Sequence, residues 1–81
     1  MRYERTPRFK KEFQKFPKEV RSVFGKQLNF LLHDIRHPSL RAKKYDEEYG
    51  IWQIRITDNV RAYFCIEDDA YLFLNIRKHR D

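Results

Sequence analysis

The chain has 81 residues, 18 Lys and Arg against 12 Asp and Glu, and a formal net charge of +6. A chain this short makes a single domain, residues 1–81, that buries only about 60 to 65% of its unfolded surface. The single cysteine, Cys65, excludes an internal disulfide framework. No apolar run approaches the roughly 18 residues of a membrane span, so a soluble cytoplasmic protein without a membrane partner is expected.

The basic balance suits a nucleic acid or an acidic protein as partner, and equally suits plain solvation. Placement along the fold has to decide between them.

Tyr3, followed by Thr6-Pro7, marks a short strand that ends at a helix start, with Thr6 as cap and Pro7 at the first helical position. Phe9, Phe13 and Phe16 then recur on one helix face and read as core rather than as a stacking platform. Pro17 ends that helix or kinks it and opens a second. Along the second helix Val20, Phe24, Leu28, Leu31 and Ile35, flanked by Val23 and Leu32, make a stripe broad enough to cover a sheet. Gly25 interrupts this helix, as expected where two helices approach closely. His33 falls near the helix end, where the dipole favours a partly charged imidazole, and His37 falls in a loop. Neither has partners at ligand spacing, so no metal site and no cofactor are expected.

A loop from His37 to Lys44 follows, in which Lys43 and Lys44 either rim a basic face or are simply solvated. The acidic stretch Asp46-Glu47-Glu48 and Tyr49-Gly50 lead into three segments of period two. Trp52, Ile54 and Ile56 alternate with Gln53, Arg55 and Thr57, then Ala62, Phe64 and Ile66 with Arg61, Tyr63 and Cys65. The third strand runs from Ala70 to Ile76.

Keeping faces matched predicts three-residue turns, Asp58 to Val60 and Asp68 to Ala70. Trp52, Ile54 and Ile56 then meet Ile66, Phe64 and Ala62, while Arg55 meets Tyr63 and Thr57 meets Arg61. Leu72, Leu74 and Ile76 complete the apolar face, and Arg77 lies opposite Arg61. The other face gathers Gln53, Arg55, Arg61, Tyr63 and Arg77, with His79 two residues further on, and suits a polyanion. The expected fold class is α+β: an N-terminal strand, then a two-helix hairpin packed on one face of an antiparallel sheet with a three-strand C-terminal meander.

With the stretches HPSLRAKK, GIWQIRITDNVRAYF and IRKHRD in place, nearly the whole chain resembles the toxin components of bacterial RelE/ParE-type toxin-antitoxin pairs, on the RelE side. The resemblance implies a ribosome-dependent mRNA endonuclease that cleaves in the A site without metal. The ribose 2′-hydroxyl attacks the adjacent phosphate and the 5′-oxygen leaves. The family's basic positions fall at Gln53 and Arg55, its arginine at Arg61 and its C-terminal histidine position at His79.

On this reading Arg55, Arg61 and His79 are the catalytic set. Arg61 clamps the phosphate, Arg55 assists, and His79, whose ordinary pKa is about 6.5, is the general acid. The base is left open: Lys43 or Lys44 could serve only with a strongly lowered pKa, which a cluster of positive charges favours. Lys43, Lys44, Gln53, Arg77, Lys78 and Arg80 form the RNA-binding set.

The implied partners are a cognate antitoxin, the ribosome and mRNA, with operator DNA bound only through the antitoxin complex. Two features depart from many active relatives: Arg80 follows His79 where an aromatic residue is common, and Gln53 stands where some have lysine. The alternatives are a ParE-like inhibitor of DNA gyrase and an attenuated relative that mainly binds antitoxin.

Overall fold

The computed structural model describes residues 1–79, so the expectation placed on Arg80 lies outside the described residues. The chain runs β1 (Arg2–Arg5), α1 (Pro7–Gln14), α2 (Lys18–His33), a short 3-10 helix (Pro38–Leu40), β2 (Lys43–Asp46), β3 (Ile51–Thr57), β4 (Val60–Glu67) and β5 (Ala70–Lys78). The sheet order is β1-β5-β4-β3-β2. The two helices and the C-terminal meander are as expected. The sheet is not purely antiparallel, however, because β1 lies parallel to β5. The helical hairpin carries the chain from β1 at one sheet edge to β2 at the other.

The start of α1 follows from its local sequence. The Phe9 N–H donates to Thr6 Oγ1 at 3.1 Å, and Thr6 Oγ1 donates onward to the Leu74 carbonyl at 3.0 Å. One threonine thus caps the helix and ties it to β5. Pro17 caps α2 in an extended conformation that closes off α1.

Phe9, Phe24 and Phe73 meet with ring centroids 5.3–5.4 Å apart and join α1, α2 and β5 in one core. Phe13, Phe16, Val20, Val23, Leu32 and Ile35 pack partly buried around it. Gly25 departs from expectation: a Cβ built there meets nothing within 4 Å, so no close helix approach requires the glycine. The His33 Nδ1 lies 2.8 Å from the Asn29 carbonyl one turn back. Among the described residues no helix is long and apolar enough to cross a membrane.

The meander corrects the expected register at both turns. Asp58-Asn59 is a two-residue turn, with Thr57 opposite Val60, and a bulge follows at Ile56. The bulge restores the matching of faces, as a three-residue turn was expected to do, but from the β3 side, so the register lies two residues from the expected one. Trp52 therefore meets Phe64, Ile54 meets Ala62, Gln53 meets Tyr63, and Arg55 meets Arg61. Ile54 and Ile56 are both buried, although the bulge separates them.

The second turn, Asp68-Asp69, is also two residues long, with Asp68 at φ 53°. A bulge at Leu74 shifts the pairing there. Tyr71 and Phe73 thus enter the core in place of Leu72 and Leu74, and Ile66 is 42% exposed. Beyond the bulge Ile76 meets Ala62 and Arg77 meets Arg61, both as expected.

Candidate nucleic-acid interface

The sheet face turned away from the helices begins at the paired arginines. Arg55 and Arg61 are directly opposite on β3 and β4, and Arg77 is opposite Arg61 on β5. Three arginines thus stand in register across three strands. Lys43 on β2 is opposite Gln53, on the same face at the sheet edge but in the neighbouring rank with Tyr63. Such a row of like charges is unfavourable without an anion or local compensation.

The compensation is visible. Arg55 forms an ion pair with Asp58 of the following turn. Arg61 turns its Nη1 back onto the same turn, donating to the carbonyls of Thr57 at 2.7 Å, Val60 at 3.1 Å and Asp58 at 3.2 Å. Arg77 lies over the Tyr63 ring at 4.6 Å and donates from Nη2 to Tyr45 Oη at 3.1 Å. Burial works against its charge, but its contacts with Tyr63 and Tyr45 more than offset this, and its pKa is raised.

The other expected residues divide. Gln53 is buried, forming part of the floor between Lys43 and Tyr63 rather than an exposed contact. The His79 backbone N–H donates to the Asn59 carbonyl at 2.7 Å, which anchors it beside the β3–β4 turn. Lys44 is opposite Trp52, its Nζ 5.4 Å from the ring centroid, on the helix side of the sheet. Lys78 is opposite the buried Val60 and borders a groove with Phe16 and Pro17, also on the helix side. The face therefore brings together Lys43, Arg55, Arg61, Arg77 and Gln53, and leaves Lys44 and Lys78 apart from them.

Tyr45 is the residue that sequence reasoning missed. Lys43 and Lys44 were expected in a loop, yet residues 43–46 form an edge strand with a bulge at Tyr45. The Tyr45 ring meets Tyr63 edge-on at 4.8 Å and remains 53% exposed. The segment carries four polar or charged residues and no period-two apolar pattern, so its only signal is the partner strand.

Across from Tyr63, Asn75 Oδ1 is buried without a hydrogen-bond partner. Cys65, partly buried nearby and opposite Leu72, has its thiol pKa raised first by burial and then by Glu67, so it stays protonated at neutral pH. Among the described residues no group of three or more His, Cys, Asp or Glu side chains is arranged to hold a metal ion.

Physically the face offers fixed cations for phosphates and one exposed ring, Tyr45, for a base, whereas Tyr63 is buried beneath it. No protein-family model matches the sequence, and no curated protein matches it either. The structure does have close counterparts. It is similar to a YoeB/ParE toxin from Agrobacterium tumefaciens (TM-score 0.82, 13% identity, 99% of this chain and 100% of that one). It is also similar to the protein in a RelB-RelE antitoxin-toxin complex from Methanococcus jannaschii (0.76, 16%, 93% and 88%). A third is YafQ from E. coli strain BL21(DE3) (0.77, 11%, 96% and 93%). The chain has the fold of the RelE/ParE-type toxins.

Proposed function

We propose that the protein is the toxin of a toxin-antitoxin pair, a single cytoplasmic domain over residues 1–81 that cleaves mRNA in the ribosomal A site. The observation that carries this reading is the gathering of Lys43, Arg55, Arg61 and Arg77 on one sheet face, with the exposed Tyr45 ring beside them. Its fold supports the same reading. The antitoxin partner is supported by similar structures that are complexes, RelB-RelE of Pyrococcus horikoshii and YoeB-YefM of Staphylococcus aureus.

Phosphoryl transfer asks a protein mainly for positioning and for charge stabilisation on the phosphate oxygens. Arg61 keeps Nη1 on its own turn and presents the remaining edge of the guanidinium to the phosphate. Arg55 joins it once the phosphate takes the place of Asp58. The ribose 2′-hydroxyl attacks the adjacent phosphate, and the 5′-oxygen leaves with a proton from His79. Of the two lysines considered as base, Lys43 shares this face and Lys44 does not. The step calls for no metal or cofactor.

A second reading, an attenuated relative that mainly binds antitoxin, is favoured by one observation: both central arginines are engaged within their own turn.

The test is to incubate the protein with programmed ribosomes carrying a defined mRNA and to map the new 5′ ends. Cleavage within the A-site codon that is lost in Arg61→Ala, with the fold unchanged by circular dichroism, is expected. Intact mRNA leaves the attenuated reading. Intact mRNA together with loss of DNA gyrase activity points to a ParE-like inhibitor.

A further inference from the structure

Beside the sheet face lies a cleft of about 790 Å³ between α2, the 3-10 helix and the β3–β4 turn. It exists because β2 covers the outer edge of β3 only at residues 51–53. Past that point the edge is held by a side chain. Buried Gln27 donates from Nε2 to the Arg55 carbonyl at 2.8 Å and to the Ser39 carbonyl at 3.0 Å, and its Oε1 accepts from Ser39 Oγ at 3.0 Å. This latch fixes the cleft walls, so the cleft is pre-formed.

Its lining combines two chemistries. Lys26, Arg41 and Arg55 come from three different elements and bring positive charge, opposed at the mouth by Asp58. The apolar part includes Phe30 and Ile56, with the His37 ring stacked on Phe30 at 3.8 Å and 6° between planes. His37 is held in that orientation by the Ser39 N–H, which donates to its Nδ1 at 3.2 Å. Arg41 occupies the left-handed region, φ 47° and ψ 44°, an unfavourable backbone for an arginine. Arg55 belongs to both surfaces: it stands opposite Arg61 on the sheet face and lines the cleft.

We propose that this cleft binds the stretch of single-stranded RNA that adjoins the segment held on the sheet face. Lys26 and Arg41 take its phosphates, and the flat His37–Phe30 pair takes a base. The inference rests on the RNA-cleaving reading. An acidic peptide would also be drawn to the cations. The continuity through Arg55 and the flat aromatic plate favour a chain of alternating phosphates and bases.

The experiment measures fluorescence anisotropy with labelled 2′-O-methyl RNA, three or nine nucleotides long, which the protein cannot cleave by 2′-hydroxyl attack. The variants are the Lys26→Ala, Arg41→Gly double substitution and Arg61→Ala. Glycine adopts the left-handed backbone at 41 freely, so the double variant removes charge while keeping the loop.

The expected result is a loss on the order of tenfold in affinity for the nine-mer in the double variant, with the three-mer unchanged, while Arg61→Ala weakens both. Unchanged nine-mer binding in the double variant, with Arg61→Ala still weak, overturns the cleft and leaves the sheet face standing. No binding by the wild type, or indifference of both lengths to Arg61→Ala, removes the sheet-face reading and the extension with it. A nine-residue glutamate peptide that binds as tightly as the nine-mer, and loses affinity in the double variant, reassigns the cleft to an acidic protein.

Discussion

On the proposed reading, Asp58 holds the place of a phosphate. It is the ion-pair partner of Arg55, and its side chain is 89% exposed against 27% for Arg55. The exposed member of such a pair gains little by staying, since surface ion pairs contribute about 0 to 1 kcal/mol. An RNA phosphate can therefore exchange with it at small cost, while in free protein the carboxylate keeps Arg55 oriented. Asp58→Asn removes the competitor and keeps a side chain of similar shape in the turn. The expected outcome is RNA affinity raised by about two- to fivefold, the equivalent of a weak surface pair, with thermal stability nearly unchanged. Binding titrations of the two proteins at equal salt check this, and unchanged or weaker binding means that Arg55 does not meet phosphate. Arg61 is held differently, by three carbonyl acceptors rather than by a charge. Its position is thus set by the turn itself.

At the level of elements, Gly25 offers a clean measure of helix energetics. It lies on the exposed side of α2 with nothing near a new Cβ, so the residue carries only the entropic cost of glycine in a helix. Gly25→Ala should stabilise the fold by about 0.5 to 1 kcal/mol. Urea unfolding measures it, and a destabilised variant would show a packing constraint that the geometry lacks.

The same elements show how much the sequence revealed. The Thr6-Pro7 start, the break at Pro17 and the apolar stripe of α2 are set by residues within a few positions of each other, and each was legible. The bulges at Ile56 and Leu74 were not, because period two specifies faces but not where an extra residue enters. A three-residue turn and a two-residue turn followed by a bulge both keep the faces matched, and between β4 and β5 they give the same register, whereas between β3 and β4 the registers lie two residues apart. The pattern of faces alone does not choose between them. Arg61 opposite Arg77 was legible because it lies past both irregularities on the β5 side. β2 was not, since residues 43–46 owe their strand conformation to β3 rather than to their own pattern. That is also why Tyr45 went unseen and why Lys43 and Lys44 could not be assigned to opposite faces.

Over the whole molecule, positive charge is not confined to one side. Lys44 and Lys78 face the helix side, and α1 carries Lys10 and Lys11 in the open. A net charge of +6 attracts RNA from a distance, but only cations that touch phosphates release counterions on binding. Salt dependence can therefore separate the two roles. For single strands the slope of log affinity against log salt is about −0.7 per neutralised phosphate. Lys43, Arg55, Arg61 and Arg77 together then predict about −3 for an RNA confined to the sheet face. Lys26 and Arg41 make this about −4 for one long enough to enter the cleft. Titrating a five-mer, which carries four phosphates, and the nine-mer over a range of salt tests the footprint directly. The two slopes should differ by little more than one. A shallow slope near −1 for both would mean that binding uses one or two contacts, too few for the cations gathered from four strands to act as a unit. A slope far steeper than −4 would mean that the RNA also wraps onto the helix side, where Lys44 and Lys78 point.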